Sequence, residues 1–376
     1  HTLLGGVQGY FTRLRETGLY VISAEDEKTS PYYGVPYTSI GKKHANEVGF
    51  FVQDEWNVTP KLTVVPGIRI DSHSSGEEYA TSVKVSDSAF PTTKFSKTTV
   101  NPRIAIKYEL TPSLVLRANV GTGFRAPYGF SEDLHLCSGS PRVWKSSNLK
   151  GERAISYNLS ADYYAKKYQF SINIFRTNLK DKIQFSPADD EVKKFGYSYQ
   201  WENVDDAYVQ GVELGAKANL FRNFNAGINW TFNQGKFKHE RADWSDPNDE
   251  TVKEFPQRLQ YAKDSRNISR FPAMTGDIDL DYTPGTWTFS LTSSLQGRMF
   301  IDYNSEDDGA TSKIKKTNTF MIFNCRAAKR FGTCTVYAGA KNIFSYIQDE
   351  KHTDDAAFMY APVYGATWYV GLSVKL

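Results

Sequence analysis

The chain has 376 residues, with 45 Lys and Arg against 42 Asp and Glu and a formal net charge of +3, and its mean hydropathy is −0.50. So small a charge excess, with no basic run, gives no argument for nucleic acid, and none is expected as a partner. No segment approaches the ~18 consecutive apolar residues a membrane helix needs. With 14 % aromatic residues, two all-β readings stay open: a soluble sandwich, or a transmembrane barrel whose strands wet one face.

Period-2 alternation predicts about fourteen strands of roughly ten or more residues. In chain order they cover 2–14, 46–58, 62–73, 98–110, 114–123, 153–165, 168–183, 198–220, 223–239, 269–283, 287–303, 317–328, 333–343 and 365–376. In the sixth, Ile155, Tyr157, Leu159, Ala161 and Tyr163 alternate with Ser156, Asn158, Ser160 and Asp162. In the last, Ala366, Trp368, Val370, Leu372, Val374 and Leu376 alternate with Thr367, Tyr369, Gly371, Ser373 and Lys375. Side chains two apart share a face, so each strand has one apolar and one wetted side. A sandwich also alternates, but with strands nearer ~5–6 residues.

The connections separate the readings. Short turns are expected at 59–61, 111–113, 166–167, 221–223, 284–286 and 329–332, and long polar loops at 15–45, 74–97, 124–152, 184–197, 240–268, 304–316 and 344–364. Short and long alternate throughout, as in an up-and-down barrel with short periplasmic turns and long outer loops. Trp56, Tyr108, Tyr163, Tyr282 and Trp287 lie near short turns, where an interfacial aromatic girdle is expected. The expected fold is a transmembrane antiparallel up-and-down β-barrel, all-β, in the outer membrane of a Gram-negative cell.

The cysteines, Cys137, Cys325 and Cys334, have no CxxC or metal-ligand spacing. Cys325 and Cys334 flank a predicted turn, and a cross-hairpin disulfide and two thiols on the lipid face are both open. No phosphate loop, HExxH or GxSxG is present, so no enzyme and no cofactor is expected. An exported protein starting at His1 is expected to have lost its leader by processing or truncation.

Several segments resemble one family, the TonB-dependent outer-membrane receptors. They are FVQDEW (51–56) with GIRID (67–71), NPRIAIKY (101–108) with GTGFRAP (121–127), NLKGE (148–152), VQGVE (209–213) and AKNIF (340–344). Ser147 and Gly151 stand where the family usually has Pro. The resemblance implies a barrel of twenty-two strands filled by an N-terminal plug, of which residues 1–376 form the C-terminal part. The plug and first strands would then be a second chain, cleaved off, or missing; a complete fourteen-strand barrel is the rival. It also implies active import of a scarce, bulky nutrient, a ferric siderophore, haem or cobalamin, driven by an inner-membrane energy-coupling protein acting on the plug. The alternatives are a passive porin-like channel and a glycan or peptide importer partnered with a surface lipoprotein. Outer-membrane lipid and lipopolysaccharide are the expected surroundings.

Ligand contacts are expected first in the 124–152 loop, at Arg125, Tyr128, His135 and Trp144. His135 lies between the GFRAP-like and NL elements, an arrangement that resembles haem receptors and would suit iron ligation; an ordinary loop histidine is the other reading. Tyr33, Tyr37, Trp201 and Tyr360 belong to aromatic-rich loops that either hold a flat amphipathic ligand or pack the loops together. The polar positions Arg69, Arg103, Lys107, Glu213, Lys217, Asp277, Asp279 and Asp281 are expected to face a wet lumen and the plug. On the lipid face each would cost ~2–4 kcal/mol at mid-bilayer. The acidic stretches 243–250 and 302–309 lack EF-hand spacing, leaving loop calcium as the alternative to plain solvation.

Overall fold

The computed structural model describes residues 1–21, 33–82, 89–128, 143–187, 189–194, 199–239, 266–303, 313–348 and 360–375. The strands are β1 (Thr2–Tyr20), β2 (Tyr37–Thr59), β3 (Leu62–Thr81), β4 (Thr93–Thr111), β5 (Leu114–Arg125), β6 (Val143–Lys145), β7 (Glu152–Tyr164), β8 (Tyr168–Pro187), β9 (Tyr199–Phe221), β10 (Phe224–Phe237), β11 (Met274–Tyr282), β12 (Trp287–Gln296), β13 (Phe300–Tyr303), β14 (Lys313–Lys316), β15 (Phe320–Phe331), β16 (Cys334–Lys341) and β17 (Thr367–Val374). One short helix, α1 (Asp190–Lys193), starts at Asp189, whose carboxylate accepts the Val192 N–H at 2.9 Å.

The strand path is β1-β2-β3-β4-β5-β7-β8-β9-β10-β11-β12-β15-β16-β17, fourteen strands in chain order, with β6 attached to β9. The alternation therefore located every strand of the path. Two expectations need correction. The span 287–303 is not one strand: β12 stops at Gln296, and β13 pairs instead with β14 as a separate hairpin. About half of each loop expected at 15–45 and 74–97 is strand, because β1 continues to Tyr20, β2 begins at Tyr37, β3 runs to Thr81 and β4 begins at Thr93. A strand of 20 residues spans about 65 Å, roughly twice the ~30 Å of a bilayer's hydrocarbon. The excess carries polar residues on both faces and so gave no apolar alternation.

The chain forms two compact units: His1–Ile106 with Asn119–Tyr157 and Thr177–Tyr208, and Lys107–Ala118 with Asn158–Arg176 and Val209–Leu376. In the first, β1 and β2 pair from Thr2↔Glu55 to Tyr20↔Tyr37. Their outward side chains stay exposed, Leu3 and Val7 among them. The opposite face holds a polar chain. Arg69 donates to Asp71 at 2.6 Å, Glu47 at 3.1 Å and Gln8 at 3.0 Å. Asn101 donates to Asp71 and Thr99, and His73 meets the Thr99 hydroxyl at 3.2 Å.

The second unit repeats this division. Leu280, Leu291, Cys325, Ala340 and Trp368 form a cross-strand row on one face. On the other, Asn229 donates to Asp277 at 2.8 Å, Ser290 to Asp281 at 2.6 Å, and Asn173 to Glu213 at 2.8 Å. The register sets Cys325 opposite Ala340 and Cys334 opposite Phe331, and both thiols are free. The cross-hairpin pairing is thereby ruled out, since the two never oppose each other.

The short turns form for local reasons. The Thr59 hydroxyl accepts the Lys61 and Leu62 N–H groups, and the Thr111 hydroxyl accepts that of Ser113. Gly285 and Gly332 adopt positive φ in two others, where a Cβ would be strained. Exposed rings gather beside these turns: Trp287 stacks on Phe289 at 5.6 Å and Phe221 on Phe224 at 4.7 Å.

Candidate functional site

At the strand ends opposite the short turns, the first unit closes over a small buried core of Tyr128, Leu149, Ile183 and Trp201, with Phe95 packed against it. Beside it lies an ion pair cut off from water: Lys145 Nζ contacts Glu77 Oε1 at 2.7 Å, with side-chain exposures of 4 % and 0 %. The other Glu77 oxygen accepts the Tyr79 hydroxyl at 2.7 Å, and the Glu77 N–H donates to Thr93 Oγ1. Such a charge is tolerated in a dry site only because it is paired and hydrogen-bonded. Lys145 is delivered by β6, which runs parallel to β9 with Val143 opposite Tyr199 and Lys145 opposite Trp201.

The segment 146–150, where the long loop returns to the wall, is held from two sides. The Tyr128 hydroxyl donates to the Ser146 carbonyl at 2.7 Å and accepts the Leu149 N–H at 3.0 Å. Burial pushes the Tyr128 phenol up to about 12, opposed by the Leu149 N–H and helped by the Glu77 carboxylate. Asn203 accepts the Lys150 N–H at 2.8 Å and donates to the Lys150 and Asp181 carbonyls. A Cβ on Gly151 would lie 2.1 Å from the Phe124 ring and 3.1 Å from the Arg125 carbonyl, so glycine permits the close approach. The NLKGE element is thus a loop-return clamp.

A recess of about 390 Å³ opens beside this clamp, lined by Phe95, Lys97, Leu149, Lys150, Gly151, Arg153, Lys180 and Asp181. The lining carries four cationic residues and one carboxylate. Lys150 Nζ lies 3.8 Å from Asp181 Oδ1, and Lys97 Nζ lies 5.4 Å from the Phe124 ring centroid. The arrangement can attract an anionic, partly aromatic ligand.

The expected contact residues are distributed as follows. Tyr128 and Trp201 share the buried core, and Trp144 lies next to it on β6. Tyr37 is buried against Phe90 in a second cluster, and Tyr360 against Met299 and Phe320 in a third. Tyr33 is half-buried, and Arg125 ends β5. His135 and the acidic stretch 243–250 lie outside the described residues, as does nearly all of 302–309. Arg69, Glu213, Asp277 and Asp281 hydrogen-bond on the polar faces given above, and Lys107 pairs with Glu109 at 2.7 Å. Lys217 and Asp279 flank Gly227, and Arg103 lies against Gly67. Among the described residues no group of three or more His, Cys, Asp or Glu could hold a metal ion. Residue patterns did not single out the Glu77–Lys145 pair, Asn203 or Lys180. Lys145 and Glu77 are 68 positions apart, on β6 and β3, and no periodic signal links them.

A meander with one greasy and one polar face, tight turns at one end and clamped loops at the other, defines an integral outer-membrane β-barrel protein. The model of the TonB dependent receptor-like, beta-barrel family matches residues 1–343, and the chain belongs to that family. It is 26 % identical over 266 residues to the vitamin B12 transporter BtuB of Photobacterium profundum, covering 69 % of this chain and 36 % of that protein. It is 25 % identical over 202 residues to the ferric enterobactin receptor of Pseudomonas aeruginosa, covering 49 % and 24 %. Among solved structures, the ferric yersiniabactin uptake receptor FyuA of Yersinia pestis superposes with a TM-score of 0.64 at 14 % identity, over 98 % of this chain and 50 % of that one. The chain thus spans well under half the length of these curated relatives.

Proposed function

We propose that the chain is barrel wall from a receptor that imports a scarce, bulky metal chelate across the outer membrane by TonB-dependent transport, and that the chelate is anionic, of the ferric siderophore type. The supporting observation is the recess at the loop-bearing ends of β4, β7 and β8, where Lys97, Lys150, Arg153 and Lys180 outnumber Asp181. Its size suits part of such a ligand. The polar faces carrying Arg69, Arg103, Lys107, Glu213, Lys217, Asp277, Asp279 and Asp281 would line the lumen and meet the plug, on which the inner-membrane energy-coupling protein would act. Relatives named for vitamin B12 and for ferric enterobactin fit the same class of cargo.

Titration of the full-length receptor with a ferric catecholate, cobalamin and haem tests the reading. The anionic catecholate is expected to bind tightest. Lys97→Gln, Arg153→Gln and Lys180→Gln are each expected to weaken it by about 0.5–1 kcal/mol, the scale of an exposed ion pair. Equal affinity for neutral and anionic ligands would overturn the charge assignment. Free solute flux in liposome swelling would overturn the importer in favour of an open channel. If His135→Ala abolishes haem binding while the lysine variants have no effect, haem replaces the siderophore.

A further inference from the structure

The second unit carries a groove of about 790 Å³ on its apolar, lipid-facing side. Register explains its shape. Phe289 and Leu291 on β12 form one wall, and Trp368 and Val370 on β17 the other. Between them β15 and β16 contribute the short side chains of Cys325, Ala327 and Ala338, while Arg326 and Gly339, also in the lining, alternate to the opposite face. The walls are three strand spacings apart, about 14 Å. The floor is shallow because it is built from side chains of one carbon or little more. A flat lipid-facing wall would need no such slot.

The end of the groove nearest the short turns carries a cation. Lys329 follows Ala327 by two residues and so shares its face, opposite Trp287 in register. Its Nζ lies 4.8 Å from the Trp287 ring centroid and 5.0 Å from that of Phe331. The two rings hold the ammonium at the depth where aromatic side chains meet headgroups, and the groove lining includes no acidic side chain. We propose that the groove seats one anionic glycerophospholipid of the leaflet on the short-turn side, an acyl chain over the alanine floor and its phosphate on Lys329. An apolar length with Lys329 just beyond one end, the Arg326 guanidinium being held 4.6 Å from the Tyr337 ring, matches an amphiphile with one anionic end. This is independent of what the receptor imports.

Native mass spectrometry of the full-length receptor, released from micelles containing dioleoyl phosphatidylglycerol or dioleoyl phosphatidylcholine, tests the proposal. The wild type is expected to retain one phosphatidylglycerol. Lys329→Gln is expected to lower its retention about fivefold, the effect of one lysine near an anionic headgroup. Ala338→Leu and Ala327→Leu fill the floor and are expected to abolish it, while Ala161→Leu on the outward face of β7 leaves it unchanged. Retention that ignores all three groove substitutions, or equal retention of the two lipids, would mean ordinary annular lipid and overturn the site. Full displacement by inorganic phosphate would overturn the lipid assignment. A doubled mass lost in Ala338→Leu would assign the groove to a second copy of the chain instead.

Discussion

Glu77 and Lys145 show what a single pair does here. Each is a charge in a dry place, and the pairing offsets much of the cost of burying both. Glu77→Leu alone is expected to destabilise the loop-bearing end by about 3–5 kcal/mol, because the buried Lys145 loses its ion-pair carboxylate. The double variant Glu77→Leu with Lys145→Met is expected to recover most of this, and thermal unfolding of the four proteins of the cycle measures the coupling. Tyr128 supplies a pH signature. Its phenol titrates at about 12 in the folded protein against an ordinary value of 10.0. The unfolded chain therefore loses this proton first as pH rises. The contribution is complete below about pH 10 and falls away between there and pH 12, where the unfolded state binds fewer protons. Unfolding of Tyr128→Phe followed across pH 9–12 should lack that alkaline drop.

Among the elements, the two most recognisable motifs prove to be loop fasteners. NLKGE is held by Tyr128 and Asn203, and AKNIF works through Asn342. Asn342 takes φ 51 after β16 and is 6 % exposed. Its amide donates to the Tyr346 and Tyr364 carbonyls and accepts the Tyr346 N–H, tying both ends of the 344–364 loop to one side chain. Asn342→Ala leaves buried backbone groups unpaired at about 1–3 kcal/mol and puts a non-Asn residue in the left-handed region, a further ~1–2 kcal/mol. Limited proteolysis should then cut within 344–364 while the strands stay intact. Strand interiors were legible because one face meets lipid and the other water. The upper parts of β1–β4 were not, because Thr38, Ser39, Lys42, Lys43 and His44 on β2 alternate in nothing a hydropathy pattern can detect. The break after Gln296 was hidden for the opposite reason, since Phe300–Tyr303 continues the apolar pattern while pairing elsewhere.

For the molecule as a whole, the proposed function implies a dependence on charge and salt. The net charge of +3 is small, so under that proposal attraction of an anionic chelate would come from local clustering at Lys97, Lys150, Arg153 and Lys180. Affinity in the catecholate titration is therefore expected to fall as salt rises from about 0.01 to 1 M, as the Debye length contracts from ~30 to ~3 Å. Binding carried by apolar contact alone would change little over that range.

Alternation and loop parity sufficed to specify a membrane barrel and to locate the fourteen strands of its meander, because a two-residue period and a bilayer leave a strand few choices. Local chemistry also announced the turns. Folding in three dimensions alone settled which distant residues meet: Glu77 with Lys145, Tyr128 with Leu149, the four cations of the recess, and the alanine floor beneath Trp368. Those contacts depend on strand register and on a short parallel pairing, neither of which leaves a periodic trace along the chain.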